Sequence, residues 1–372
     1  MPKTTKAAVL WGVGEPWSIE DVELDDPHAG DVLVRMKVAG LCHSDEHAVT
    51  GDLPLPLPAI GGHEGSGVVE SVGPGVTSVA PGDHVAVSFV PSCGRCRWCS
   101  GGMGYICDDG AKLFDLGMMS DGREAHHSKG HAVGRYAQVG TFAEYVLCSE
   151  NSVVRAEKDL SFEALALVSC GVGTGVGSAT NRAGTRPGDT VAVIGIGGIG
   201  INAIQGAKVA GAARVIGIDP IAFKREKAVE FGATHTFSSV EEAMAAVPEL
   251  TWGVMCERVI LSTGVVTGDL LDPALNLTAK GGTLVVTGLA PMMQQDVNLN
   301  LFMLAMLNKE VKGTIFGSGN PREVIPRLLT MYREGVLKID ELVTARYSLE
   351  EVNQGYQDMR DGKNLRGILV FD

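Results

Sequence analysis

The chain has 372 residues, more than one ordinary hydrophobic core serves, so its length points to two domains. With 45% hydrophobic and 20% charged residues it excludes disorder, and its 49 glycines favour an α/β architecture over a helical bundle. A formal net charge of -13 argues against nucleic acid as the main partner, because neutralising phosphates takes a basic face.

The opening MPKTTKAAVLWGVGEPW has too short an apolar core for a secretory signal. No later run reaches the ~20 apolar residues that span a bilayer, so no membrane partner is expected. From Lys6 to about Glu70 the runs AAVLW, DVLVRMKVAG and GSGVVESVG alternate with Gly, Pro and Asp, which predicts strands and turns. PGDHVAVSFVPS continues in the same character.

Next comes CGRCRWCSGGMGYIC, in which Cys93, Cys96, Cys99 and Cys107 can wrap one soft ion tetrahedrally. Four thiolates leave no open position, so such a zinc site is structural. Eight cysteines with metal spacing fit a reducing compartment better than a disulfide framework, and a cytoplasmic location is expected. Cys148 and Cys256 read as small core residues. The polar stretch from Asp108 to Gly140, with His126, His127 and His131, reads as a surface loop.

Character changes near Cys170. PGDTVAVIGIGGIGINAIQGAKVAGAARVIGID reads as strand, glycine turn, helix and second strand. Further units follow: helical KREKAVEFGA with strand-like THTF, helical VEEAMAAV before RVILSTG, and helical DPALNLTAKGG before TLVVTGL. Strands alternating with helices predict an open, doubly wound parallel sheet. Domain boundaries are expected at 1–171 with 315–372, and 172–314.

Gly195, Gly197 and Gly200, with Gly198 and Ile199 between them, form GIGGIG where a strand passes into a helix, and Asp219 lies 19 residues beyond Gly200. In that context the motif is a dinucleotide fingerprint. The glycines let a pyrophosphate rest on the helix N-terminus. Asp219 would accept hydrogen bonds from ribose hydroxyls and repel a 2′-phosphate, selecting NAD over NADP. Lys224 offers a further ribose contact.

Cys42 in AGLCHSDEH, His63 and Glu64 in GGHEGSG, and Cys170 before GVGTG supply the two thiols and one imidazole of an open, catalytic zinc site. Spacing alone cannot show that they converge. The thiol ladder, GHEGSGVVESVG, PGDHV, the cysteine before GVGTG and the dinucleotide fingerprint occur in one order along the whole chain. This order strongly resembles the zinc-dependent medium-chain alcohol dehydrogenases. GDLPLPLPAIGGHEGSG, SFVPSCGRCRWC, DPIAFKREKAVEFGATH and NQGYQDMRDGKNLRG look most like the actinobacterial nitrosodimethylaniline-dependent branch.

The resemblance implies a Rossmann cofactor domain and a β-rich, GroES-like catalytic domain with a structural zinc lobe. It implies two zinc ions and NAD. Cys42, His63 and Cys170 match the catalytic zinc ligands, Glu64 the acid beside the metal, and Asp45 the partner that orients the ligand histidine. Ser44 matches the hydroxyl that takes the substrate proton, and His47 the base at the solvent end of a relay. Phe89 matches a wall of the alcohol pocket, Thr174 a residue against the nicotinamide, and Arg366 a pyrophosphate contact. His43 departs from the family, where arginine is common beside the pyrophosphate. The segment Thr251–Gly264 lacks an aspartate often found there, with the strand expected to survive.

The implied reaction is hydride transfer between a primary alcohol, or its aldehyde, and NAD. The branch further implies NAD held through turnover and reoxidation by a separate electron carrier. The family resemblance implies a homo-oligomer, dimer or tetramer, with the TLVVTGL to GTIFGS region near the contact; Met292, Met293, Met303 and Met306 suit an adaptable apolar surface and equally a core. One competing reading is a dehydrogenase of thiol-formaldehyde adducts, anchored through Arg123, Lys129 and Arg135. Another is a catalytically silent NAD-binding protein.

Overall fold

The computed structural model describes residues 3–112, 119 and 121–372. Contacts divide the chain into two compact units, one ending at Cys170 and resuming at Asn320, the other running from Gly171 to Gly319.

The discontinuous unit is built around strand Asp31–Gly40, the run DVLVRMKVAG, whose apolar residues are almost all buried. Its first half pairs antiparallel with Tyr145–Ser149, its length with Glu64–Val72, and its end with Arg366–Val370. The sheet continues through His84–Ser88 to Val153–Ala156 on one side and to Val343–Tyr347 on the other. A second sheet runs His131–Ala132, His126–Ser128, Ser18–Leu24, Lys3–Leu10, Ala59–Ile60 and Gly134–Arg135. This is the β-rich unit that the family resemblance leads one to expect.

The continuous unit holds a six-stranded sheet in the order His235–Phe237, Arg214–Ile218, Thr190–Ile194, Cys256–Leu261, Thr278–Val286, Glu310–Gly313. Every pairing is parallel. Numbered along the chain the order is 3-2-1-4-5-6, the doubly wound arrangement in which ligands bind beyond the strand C-termini at the switch point. TVAVI at the centre is fully buried, as a strand covered on both faces must be. The segment without the aspartate does form a strand, Cys256–Leu261.

Two expectations need correction. DPALNLTAKGG is helical only to Leu277, because Thr278–Val286 is already strand and the glycines lie inside it. The stretch Asp108–Gly140 is more than surface loop. His126 is buried in strand His126–Ser128, and Arg135 is buried at the end of strand Gly134–Arg135. Residues 113–118 and 120 of that stretch lie outside the described residues. Cys148 and Cys256 are buried, and burial pushes both thiols up to about 12. Among the described residues no single helix is long and apolar enough to cross a membrane.

Candidate active site and metal centres

Strand Asp31–Gly40 delivers the chain to Cys42, the extended residue that precedes helix His43–Thr50. The strand end is fixed because the Leu41 amide donates to the Gly367 carbonyl at 3.0 Å. His63 and Glu64 enter at the head of the neighbouring strand. Cys170 follows helix Phe162–Val168, and the preceding Ser169 ties that turn to the strand. Ser169 Oγ accepts from the Gly65 amide at 3.2 Å and donates to the Ala166 carbonyl at 2.6 Å. The ligand atoms of Cys42, His63, Glu64 and Cys170 all lie within 4.8 Å of one another, and all four residues are buried.

Asp45 is fully buried on the first turn of the helix. Its Oδ1 accepts from His63 Nδ1 at 3.0 Å and from the Gly62 amide at 3.1 Å. The carboxylate leaves Nε2 as the nitrogen free to ligate. The Cys42 thiol is held well below its ordinary value, first by the Cys170 thiol, against burial, with His63 and Arg366 adding. A thiolate is the form that binds metal.

Glu64 forms a buried ion pair with Arg366 Nη2. Burial pushes its carboxyl up to about 7, with the arginine opposing. Its second oxygen, Oε1, is buried without a hydrogen-bond partner among the described residues. A side chain on Gly40 would collide with Glu64 Oε2, so glycine is required where the strand passes the pair. Removing one partner of such a pair costs about 3–5 kcal/mol, because a buried charge is left uncompensated. The sequence reading placed Arg366 on a pyrophosphate and did not see this partner.

Ser44 lies beside the ligands, its Oγ 3.6 Å from Cys42 Sγ. His47 was expected at the solvent end of a relay. The structure buries it to 2% exposure, and it is its partner Asp52 that reaches solvent. His43 packs edge-to-face on His47 with centroids 5.5 Å apart. Phe89 stands edge-on to the His63 ring at 5.4 Å. Tyr136 and Tyr356 escaped the sequence reading. Tyr136 packs on His63 and donates to the Ser44 carbonyl at 2.7 Å, and Tyr356 donates to the Cys42 carbonyl at 3.5 Å. Both reach the site from distant elements with no local motif to mark them.

Cys93, Cys96, Cys99 and Cys107 form the second cluster. Cys93 and Cys99 Sγ are 4.0 Å apart, and Cys96 and Cys107 Sγ are 3.9 Å apart. A tetrahedral Zn–S distance of about 2.3 Å requires separations of about 3.8 Å, so the four sulfurs fit one zinc. Amides of Cys93, Cys96 and Cys99 point at sulfurs of the same set at 3.3–3.4 Å, as thiolates favour.

In the other unit Gly195 adopts φ 87°, and a side chain on Gly200 would collide with the Gly195 carbonyl. Gly197 precedes helix Gly198–Val209 with no side-chain cap, and a Cβ there would meet nothing within 4 Å. An uncapped N-terminus beneath open space is a cradle for a pyrophosphate. Ile199 lies in the first turn of that helix. Asp219 braces the turn, its carboxylate accepting from the Ile196 amide at 2.8 Å and the Ile221 amide at 2.9 Å. Lys224 is half-buried on helix Ala222–Phe231. Thr174 is buried, its hydroxyl without a partner among the described residues.

Arg123, Lys129 and Arg135 all have internal partners. Arg123 pairs with Asp31 and with Asp121 at 3.1 Å, Lys129 with Glu20 at 2.7 Å. Arg135 donates to the Gln138 and Leu147 carbonyls at 2.5 and 2.7 Å.

A doubly wound nucleotide-binding unit, and a GroES-like unit carrying both the Cys42–His63–Glu64–Cys170 cluster and the four-thiol cluster, define a zinc-binding dehydrogenase. Residues 28–158 match the alcohol dehydrogenase GroES-like domain, and residues 198–333 match the zinc-binding dehydrogenase family. The chain therefore belongs to the zinc-dependent medium-chain alcohol dehydrogenases. It is 53% identical over 366 residues to the NDMA-dependent alcohol dehydrogenase of Amycolatopsis methanolica, covering 98% of each chain. Alcohol dehydrogenase B of Mycobacterium tuberculosis is 46% identical over 368 residues, 99% of this chain and 98% of the relative. Among solved structures, benzyl alcohol dehydrogenase from Acinetobacter calcoaceticus superposes with a TM-score of 0.92 at 32% identity, covering 100% of both chains.

Proposed function

We propose that this alcohol dehydrogenase oxidises primary alcohols to aldehydes with an NAD that stays bound through turnover and is reoxidised in place by a separate electron carrier. The observation that carries the alcohol chemistry is the convergence of Cys42, His63, Glu64 and Cys170 within 4.8 Å. Cys42, His63 and Cys170 would hold a zinc that would supply Lewis acidity towards an alcohol hydroxyl, and a bound NAD would supply the hydride acceptor.

The chain's own residues do the rest. Asp45 fixes the ligand histidine. Ser44 takes the hydroxyl proton and His47 receives it. Phe89 forms a wall of the alcohol pocket. Gly195, Gly197, Gly198, Ile199 and Gly200 shape the turn that holds the pyrophosphate on helix Gly198–Val209. Asp219 and Lys224 meet the adenosine ribose, Thr174 the nicotinamide, and Arg366 offers an anionic group of the cofactor the N–H groups that Glu64 leaves. Cys93, Cys96, Cys99 and Cys107 hold a second zinc that folds their loop. Reduced thiols at both sites suit a cytoplasmic location.

The bound-NAD reading is supported by similarity to an enzyme named for NDMA rather than for a soluble cofactor. The thiol-formaldehyde alternative loses its anchors, because Arg123, Lys129 and Arg135 already have partners. We also propose a homo-oligomer formed across the edge strand Glu310–Gly313, beside which Phe302 and Met306 are 69% and 66% exposed.

The test is initial-rate oxidation of ethanol and benzyl alcohol by gel-filtered, zinc-loaded protein, with added NAD or with nitrosodimethylaniline alone. Turnover with the acceptor alone, and NAD released on denaturing the protein, is the expected result. Turnover only with added NAD would make this an exchanging dehydrogenase.

A further inference from the structure

Beyond the four-thiol lobe the chain folds into a small hairpin, turned by Lys129 and Gly130 at φ 51° and 78°. Its strand His126–Ser128 pairs antiparallel with His131–Ala132 and with Ser18–Leu24. The Val133 amide donates to the His126 carbonyl at 2.9 Å, and the Gly134 amide to the Pro58 carbonyl at 2.8 Å. These bonds hold the hairpin against the loop at 56–58, and a cavity of about 150 Å³ is enclosed there. Pro56, Leu57 and Val133 give it apolar walls, while buried His126 and Arg135 and exposed Glu124 complete the lining.

Arg135 is 2% exposed, and burial pulls its guanidinium down to about 10, so it stays charged at neutral pH. Gly140, at φ 60°, packs on its stem, where a Cβ would stand 3.1 Å from Arg135 Cβ. Nη1 donates to the Gln138 and Leu147 carbonyls, which uses both of its hydrogens. Nε is buried without a partner, and Nη2 makes no hydrogen bond among the described residues. Those two nitrogens form the edge that grips a carboxylate through two parallel N–H bonds. No carboxylate among the described residues takes it, because Asp31, whose charge reaches Arg135, is paired with Arg123. A buried cation with an unused donor edge is costly, and its persistence calls for a ligand. The neighbouring His126 stays neutral, since burial and then Arg135 hold its imidazole well below the ordinary value. It adds no second charge and can offer one N–H. Glu124 opposes an anion, but its carboxylate is exposed and screened by water.

We propose that this cavity binds a small organic monocarboxylate, its head on the Nε–Nη2 edge of Arg135 and its short apolar tail against Pro56, Leu57 and Val133. The site lies within the unit that ends at Cys170 and shares no residue with either cysteine cluster. Volume sets the size of the ligand. A cavity near 150 Å³ takes roughly six heavy atoms, the size of a four-carbon acid, and has no room for a thiol cofactor. Chemistry sets the class. Chloride cannot use a two-pronged donor edge, and phosphate would strand its remaining oxygens against proline, leucine and valine.

The experiment is calorimetric titration of the full zinc-loaded chain with butyrate, and separately with phosphate and chloride, for wild type, Arg135→Lys, Arg135→Met and Val133→Phe. Wild type is expected to bind butyrate saturably at one site, with phosphate and chloride giving no saturable heat. Arg135→Lys keeps the charge without the fork and Arg135→Met removes both, so each weakens butyrate by roughly tenfold or more, the methionine variant further than the lysine. Val133→Phe fills the cavity and loses binding, while kcat and KM with benzyl alcohol stay at wild-type values. Absence of saturable butyrate binding to wild type overturns the proposal. So does binding that survives unchanged in Val133→Phe and Arg135→Met, which would put the carboxylate at the metal centre. Phosphate binding as tightly as butyrate overturns the ligand class and leaves an adventitious ion only. If Arg135→Met does not fold, Val133→Phe decides between these outcomes, and if Val133→Phe loses its activity with benzyl alcohol, Arg135→Lys decides.

Discussion

At the scale of single residues the centre depends on one buried carboxylate. Asp45 holds His63 and the Gly62 amide with the same oxygen, so it sets both the imidazole and the backbone that presents it. Such partners are worth about 10–100-fold in metal affinity. Asp45→Ala is therefore expected to weaken zinc at the Cys42–His63–Cys170 site by about 10–100-fold while the four-thiol site keeps its ion. Chelator competition followed by metal analysis, showing a fall from two zinc ions per chain towards one, checks this. The ligand candidates stand in short motifs that can be read directly, yet their convergence depends on strands and turns that bring position 170 to positions 42 and 63. Tyr136, Tyr356 and Ser169 carry no signal of their own. Arg366 meets Glu64 across 302 residues, a pairing no local pattern reveals.

At the scale of elements, long apolar runs were legible and short ones were not. DVLVRMKVAG and TVAVI declare themselves as strands because β-branched residues fill several consecutive positions. Strands of two or three residues have no period, so His126–Ser128 and Gly134–Arg135 read as polar loop. The consequence is a buried His126 whose imidazole is held well below its ordinary value, by burial first and then by Arg135, His127 and Arg123. Folded His126 stays neutral while the unfolded chain gains a proton below about pH 6.5. Stability from this group is present above that pH and is lost on acidification, at up to about 1.4 kcal/mol per pH unit, until the folded imidazole also titrates. Denaturant titrations of wild type and His126→Gln between pH 5 and 8 should show a shallower fall in the variant. Equal slopes would contradict a buried neutral histidine.

At the scale of the whole molecule, the parallel sheet was legible from the alternation of helices and strands, whereas its exposed apolar residues were not assignable to surface or core from sequence. Glu310–Gly313 is an edge strand, and unpaired edges flanked by apolar side chains are what association covers. Phe302→Glu combined with Met306→Glu is expected to shift the purified protein to monomer in light scattering while it retains both zinc ions. An unchanged mass would place the subunit contact elsewhere. The strand Arg366–Val370 carries a different implication. It inserts between Val343–Tyr347 and the central strand Asp31–Gly40, so the catalytic sheet is closed by a segment that follows the whole nucleotide-binding unit in the chain. During translation that unit has its entire sequence available while Glu64 still lacks its arginine. A nascent chain therefore has all four residues of the Cys42–His63–Glu64–Cys170 cluster before the Gly171–Gly319 unit is made, but gains the buried cation that pairs with Glu64 only after that unit has been synthesised.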